Sequence, residues 1–522
     1  MLKITMVVSC TWRIFMNRRS FLKLRPTEEP RQLTSAERLA NAMNPQPLQI
    51  AAGLEEYTTP LTSRTAEHLL RRTGFQYNRA EVQKIVGKTA AEVVDAMLNI
   101  NPSTLPPVPS WAKNTPVNNL QLNYSQNDEL RTLWFTQMLN GTNPLLEKMT
   151  FFWHNLFANE EKKVYYSQYM YWQNDAFRRN PTKVVIPYQP TTDTNRTFFG
   201  NIRTLTKAMV RDMAMLIYLD GNQSMSGNPN ENFAREILEL FTLGIGNYTE
   251  QDIVEAARAF TGWRVEGLSS NFKGLNFDAT SKTFMGKTGF FGADDIVDII
   301  FESPACATFF AKRFYTFFVY ELPGNEILTQ LAAELTASNY ELKPFLKKLL
   351  TSAHFFDEQL FGAVIKSPLD TIIGTARLLD VKFKDTLIAV RALGVLSLEL
   401  LNPPDVAGWK GYHQWINTST LPTRQKFTDG MIDGSSLVNT PVPETKIDPV
   451  AFVKSFGVSS AAEVVAAMAG YFLAFELSAD QKTALVNDAF GGYDWTVDAP
   501  NAKAGIERLL KALMRLPEFQ LM

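Results

Sequence analysis

The stretch Asn228–Trp263, NPNENFAREILELFTLGIGNYTEQDIVEAARAFTGW, decides the fold class. Asn228 is a good N-cap, Pro229 suits the first helical position, and Glu231 stands three residues after the cap. Phe233, Ile237, Leu240 and Phe241 recur at helical spacing, so one face of this first helix is buried. Gly244 closes it. Thr249, with Asp252 in the capping-box position, starts a second helix. Its buried stripe is Ile253, Ala256, Ala257 and Phe260, and Gly262 ends it.

The rest of the chain repeats this pattern. Upstream, helices are predicted over Thr62–Arg72, Arg79–Val86, Thr89–Leu98, Gln126–Leu139, Asn143–Ala158, Lys163–Arg178 and Phe198–Leu219. Downstream they resume at Asp294 and run in short-loop succession to Leu400, then from Ser419 to Asp429 and through three more to Arg515. Only Arg264–Phe291 lacks helical periodicity and reads as a small irregular or β-hairpin insertion. The expectation is a mostly α, multi-helix globular array. Residues 1–60 read as a leader and mobile lead-in. Residues 61–522 read as one large helical domain, with a C-terminal helical subdomain from about residue 430 as the alternative division.

Composition narrows the function. Of 522 residues, 45% are hydrophobic and 20% charged, an ordinary globular mix. The 36 phenylalanines and 9 tryptophans predict an aromatic core. A net charge of −1 implies no general attraction to nucleic acid or to acidic membranes. No stretch reaches the roughly 18 apolar residues of a membrane span. The two cysteines, Cys10 and Cys306, exclude a disulfide framework and a cysteine-rich zinc site. Cys306, amid Pro304, Ala305, Ala307 and Phe309, reads as a small buried apolar residue.

The N-terminus carries Met16-Asn-Arg-Arg-Ser-Phe-Leu-Lys23, which is similar to a twin-arginine export signal. Such a signal is followed by an apolar segment. Here the polar Leu24-Arg-Pro-Thr-Glu-Glu29 follows, so the motif is degenerate. Met16 competes with Met1 as the start. An extracytoplasmic location is expected if the segment works, and a cytoplasmic one if it does not.

Chemistry-bearing residues concentrate on the opening helix. Asn232, Arg235, Glu236 and Glu239 share one face, with Glu231 a turn before Arg235 and the amide Asn230 beside them. One reading is a solvated lattice of i, i+4 ion pairs, each contributing a few tenths of a kcal/mol. The other is a partly buried cluster for a divalent metal or a polar ligand, with Glu236 or Glu239 as base or ligand and Arg235 binding an anionic group. His154 and Asn155, in KMTFFWHNLF, are the partners expected for such a site. His154 reads equally as a satisfied core histidine. If the site exists, His154 and the helix carboxylates converge within about 6 Å, where charges perturb one another. The remaining histidines are His68, His354 and His413. No HExxH, ExxH, GxSxG, P-loop or GxGxxG pattern occurs. Trp263, Trp409 and Trp415 form a third possibility, a carbohydrate- or polymer-binding surface, against the reading that they are core.

Several separated segments carry a family resemblance: HLLRRTGF from His68, KMTFFWHNLF from Lys148, NENFARE and LELFTLG from Asn230, YTEQDIVEAARAFTGW from Tyr248, KSPLD from Lys366, and PPDVAGW with WIN from Pro403. In this order the chain resembles the bacterial domain-of-unknown-function 1800 family. The resemblance implies a mostly helical extracytoplasmic protein, made beside a partner similar to the sulfatase and phosphatase superfamily, and it supplies no reaction. The family's recurring polar residues fall on His154, Asn155, Asn230, Glu231, Asn232, Arg235, Glu236 and Glu239. Before Lys282, where relatives often carry a histidine, Asp278 and Ser281 stand here. The function expected is therefore an exported helical protein acting with a partner. A hydrolase-like, carboxylate-rich enzyme and a polymer-binding protein are the alternatives.

Overall fold

In the computed structural model, residues 34–435 and 446–522 are described, save for 49 and 193. The twin-arginine-like segment, Cys10 and the start-codon question lie outside the described residues. Among the described residues the architecture is helical, apart from three two-stranded antiparallel sheets. Two of these fill the predicted insertion: Trp263–Glu266 pairs with Ser269–Phe272, and Lys282–Phe284 pairs with Lys287–Gly289. Residues 35–522 cluster into one compact unit. Its core is continuous and aromatic, with Trp134, Trp153, Phe135, Phe157 and Phe177 almost wholly buried.

Capping chemistry explains where the helices start. Asp252 accepts the Thr249 backbone N–H at 2.8 Å, closing the predicted capping box of the Glu250–Ala259 helix. Ser367 with Asp370 and Asn78 with Glu81 do the same for their helices. The first helix of the opening stretch starts two residues later than predicted, at Glu231. Asn230 is its N-cap, its Oδ1 accepting the Phe233 N–H at 3.0 Å. Asn228 is instead drawn into a backbone bridge with Met225.

Three more differences have local causes. The predicted Lys163–Arg178 helix is two pieces, Glu161–Val164 and Ser167–Arg178, parted at Tyr165 with φ of 71°. The predicted Phe198–Leu219 helix breaks where Asp212 caps a new one, Met213–Tyr218, by accepting the Met215 N–H. A nine-residue helix, Ser35–Met43, stands within the stretch expected as lead-in. The buried Arg38 ties it down by donating to the carbonyls of Phe361 and, at 3.0 Å, Glu358.

The C-terminal helices fold back on the middle of the chain. Arg424, fully buried, donates to Thr371 Oγ1 at 2.9 Å. Leu521 bridges to Ile365. This return brings the Lys366–Asp370 segment beside the Pro144–Leu156 helix, where one wall of the site is built. No described helix is long and apolar enough to cross a membrane.

Candidate functional site

The Pro144–Leu156 helix sends its polar side chains in different directions. Glu147 receives a bidentate pair from Arg178, Nε at 2.7 Å and a terminal nitrogen at 2.8 Å. Lys148 pairs with Asp370 at 3.0 Å and sits over the rings of Phe75 and Phe317. His154 is buried edge-on to Trp134 at 5.4 Å and against Trp409 at 5.7 Å. Its Nε2 has no partner, and burial alone pulls its pKa down to about 3. The ring is thus neutral, and no carboxylate stands close enough to alter its protonation.

On the Glu231–Glu239 helix, Glu231 and Asn232 are exposed. Arg235 is turned to Glu250 in a bidentate surface pair at 3.0 and 2.6 Å. Asn230 is committed as a cap, and its Nδ2 donates to the Leu219 carbonyl at 2.9 Å. Glu239 accepts the Tyr248 hydroxyl at 2.5 Å. Glu236 is half-buried, and its carboxyl is held above the usual range, first by burial and then by the charge of Glu239. Along this face Arg235 and Glu239 are thus paired with Glu250 and Tyr248, while Glu231, Asn232 and Glu236 make no side-chain hydrogen bond or ion pair among the described residues. Among the described residues, no group of three or more His, Cys, Asp or Glu side chains is gathered as a metal would require. In the loop where relatives often carry a histidine, Asp278 is bound by Arg258 at 2.8 Å, and Lys282 is buried.

Asn155 and Glu239 are the two predicted polar residues that meet a common space. This is a cleft of about 1110 Å³, between the Pro144–Leu156 and Pro304–Phe318 helices and the PPDVAGW loop. Trp409 and Trp415 line it as well, each buried for most of its surface. Trp263 does not. It is 3% exposed and is covered by the Arg211 guanidinium, 4.7 Å from its ring centre.

The loop wall is fixed by Asn155. Its Oδ1 accepts the Trp409 backbone N–H at 2.7 Å. Gly408, with φ of 77°, passes so close that a Cβ would lie 2.3 Å from the Asn155 carbonyl. Trp409 then stacks on Phe151, ring centres 5.7 Å apart. The same helix thus sets both the floor and the loop.

Sequence reading missed the opposite wall. Lys312, Arg313, Phe309 and Phe317 project from the Pro304–Phe318 helix, and Lys410 faces them from the loop. Neither Lys312, Arg313 nor Lys410 has an ion pair or side-chain hydrogen bond among the described residues. Burial lowers the pKa of Arg313, and no carboxylate opposes that. Of the carboxylates that share the cleft, Asp370 holds Lys148 and Glu239 accepts the Tyr248 hydroxyl, while Glu321 has no ion pair among the described residues and its carboxyl is pushed up chiefly by burial. A signal was present in the sequence. Positions three and four residues either side of Lys312 and Arg313 hold only Thr, Phe and Tyr, so no helical neighbour can neutralise them.

The other histidines serve the core: His68 pairs with the Phe355 carbonyl, and His354 with Tyr315 and the Ala52 carbonyl. His413 is exposed. Cys306 is fully buried, and its thiol pKa is pushed well up by burial.

Comparison with curated proteins and with solved structures gives no significant match in either case. The family model described as a protein of unknown function (DUF1800) matches residues 68–521, and the chain belongs to that family.

Proposed function

We propose that this is a binding protein that acts with a protein partner, a segment of which enters the cleft. The observation that carries this reading is the cleft itself. At about 1110 Å³ it exceeds the roughly 300–1,000 Å³ typical of small-molecule pockets and suits an extended chain. Its rim offers Ile245, 79% exposed, and Leu322 for apolar contact. Its amides are already spent: Asn155 on Trp409 and Asn247 on the Leu243 carbonyl. An apolar peptide segment does not depend on them.

Export, with a partner similar to the sulfatase and phosphatase superfamily, belongs to the same proposal. It draws on the Arg18-Arg19 motif and on the family resemblance. A hydrolytic reading keeps one observation in its favour: Glu239 stands on the cleft wall, and the pKa of Glu236 one turn earlier is raised by burial and by the charge of Glu239. Against it, His154 lies away from both in an uncharged aromatic cage.

The test is selection of random decapeptides on the purified protein, repeated on Thr308→Trp. Thr308 is exposed on the cleft wall, so an indole there narrows the space beside Lys312 and Phe309. Peptides enriched on the parent and lost on Thr308→Trp are expected. Absence of enrichment, or equal enrichment on both proteins, contradicts the proposal.

A further inference from the structure

We infer that the segment received by the cleft is acidic as well as apolar, with a carboxylate seated on Arg313 between Lys312 and Lys410. The inference rests on the binding reading above and adds the chemistry of the ligand. Three cations face the cleft without an ion pair among the described residues. Asp370 is taken by Lys148, and neither Glu239 nor Glu321 acts on Arg313, whose pKa is shifted by burial with no opposing carboxylate. A guanidinium drawn partly out of water with no anion opposite it is held at a cost. An incoming carboxylate removes that cost and gains a charge-assisted, two-pronged hydrogen bond that a lysine cannot reproduce.

The placement of the cations also favours a peptide over a free anion. Arg313 is flanked along its own helix by Phe309 and Phe317, both partly exposed to the cleft. Across the space lies the Trp409 loop. A bound chain therefore meets charge and aromatic surface together. Side chains that alternate between acidic and apolar along an extended strand satisfy both. Lys312 and Lys410 are exposed, so they act mainly on the rate and salt dependence of association, and Arg313 acts on retention.

The experiment uses the decapeptides enriched on the parent protein, each made also with Asp and Glu replaced by Asn and Gln. Dissociation constants are measured by fluorescence anisotropy at low and high salt, on the parent, Arg313→Gln, Arg313→Lys and Lys410→Gln. The expected result is that acidic peptides bind at least tenfold tighter than their amide counterparts on the parent. That preference collapses on Arg313→Gln, is partly kept on Arg313→Lys, and weakens with salt. Amide peptides binding as tightly as acidic ones, or a preference unchanged on Arg313→Gln, overturns the acidic assignment while leaving the cleft as a binding site. Binding that survives Thr308→Trp overturns both. Circular dichroism melts of each variant identify any that fail to fold, and Lys410→Gln, at an exposed loop position, supplies the charge test if Arg313→Gln does.

Discussion

Asn155 and Trp409, 254 positions apart, are joined backbone to side chain: the Trp409 N–H donates to Asn155 Oδ1 at 2.7 Å, and Gly408 packs directly on the Asn155 carbonyl. This contact turns a helix and a distant loop into one wall of the cleft. Gly408→Ala places a Cβ into backbone oxygen at a positive φ, so a loss of at least ~1–3 kcal/mol is expected. Asn155→Ala strands the Trp409 N–H and should cost about 1–3 kcal/mol. Gly470→Ala, in an exposed helical position with open space around it, should instead stabilise by roughly 0.4–1 kcal/mol. Urea denaturation of the three variants checks the ranking.

Glu147 and Arg178 form a pair in which each side chain is less than a tenth exposed. Glu147→Gln leaves a buried guanidinium without its counter-charge, and a loss of about 3–5 kcal/mol is expected. Glu147→Leu combined with Arg178→Met removes both charges and should recover most of that loss. If the double variant is as unstable as the single one, the pair contributes through shape rather than charge.

The buried neutral state of His154 sets a pH dependence. Its pKa falls from the ordinary 6.5 to about 3 on folding, because burial penalises the imidazolium. Between those values the unfolded chain binds the proton and the folded chain does not. The contribution is therefore fully present above pH 6.5 and is lost as pH falls toward 3, by about 1.4 kcal/mol per unit. In His154→Leu this component is gone. The stability difference between parent and variant, measured across pH 8 to 4, should be flat above 6.5 and slope below it. A flat line throughout would show that the ring is protonated or paired in the native state.

Cys306 should be chemically silent in the native protein. It is the only free cysteine among the described residues, fully buried, with its thiol held protonated by burial. In a Cys10→Ser background, a thiol reagent is expected to label nothing natively and one equivalent in denaturant.

Much of the fold could be read from local chemistry. Capping boxes such as Thr249 with Asp252 and Ser367 with Asp370 act over three residues, and sequence displays them directly. What local signals left open was decided at a distance. Asn228 and Asn230 are both plausible caps, and the bridge from Asn228 to Met225 chooses between them. The break at Tyr165 follows a segment anchored by the Glu161 N–H on the Leu401 carbonyl, which no window around Tyr165 contains. The site was legible only in part. Spacing put Glu239 on the charged face of its helix, the family resemblance singled out Asn155 beside His154, and both reach the cleft. Neither could show that Arg235 would be claimed by Glu250 on the next helix, or that the space beside Asn155 would be closed by residues 304–317. The isolated pair Lys312-Arg313 on an aromatic helix was the overlooked clue.

The claim that the cleft is the working site is tested most directly by hydrogen–deuterium exchange of the full chain with and without an enriched decapeptide. Protection is expected in the Pro304–Phe318 helix and across Ala407–Trp415. The exposed Glu231–Asn232 end of the opening helix should be unchanged. Protection confined to that helix, with residues 304–318 unaffected, would contradict the account.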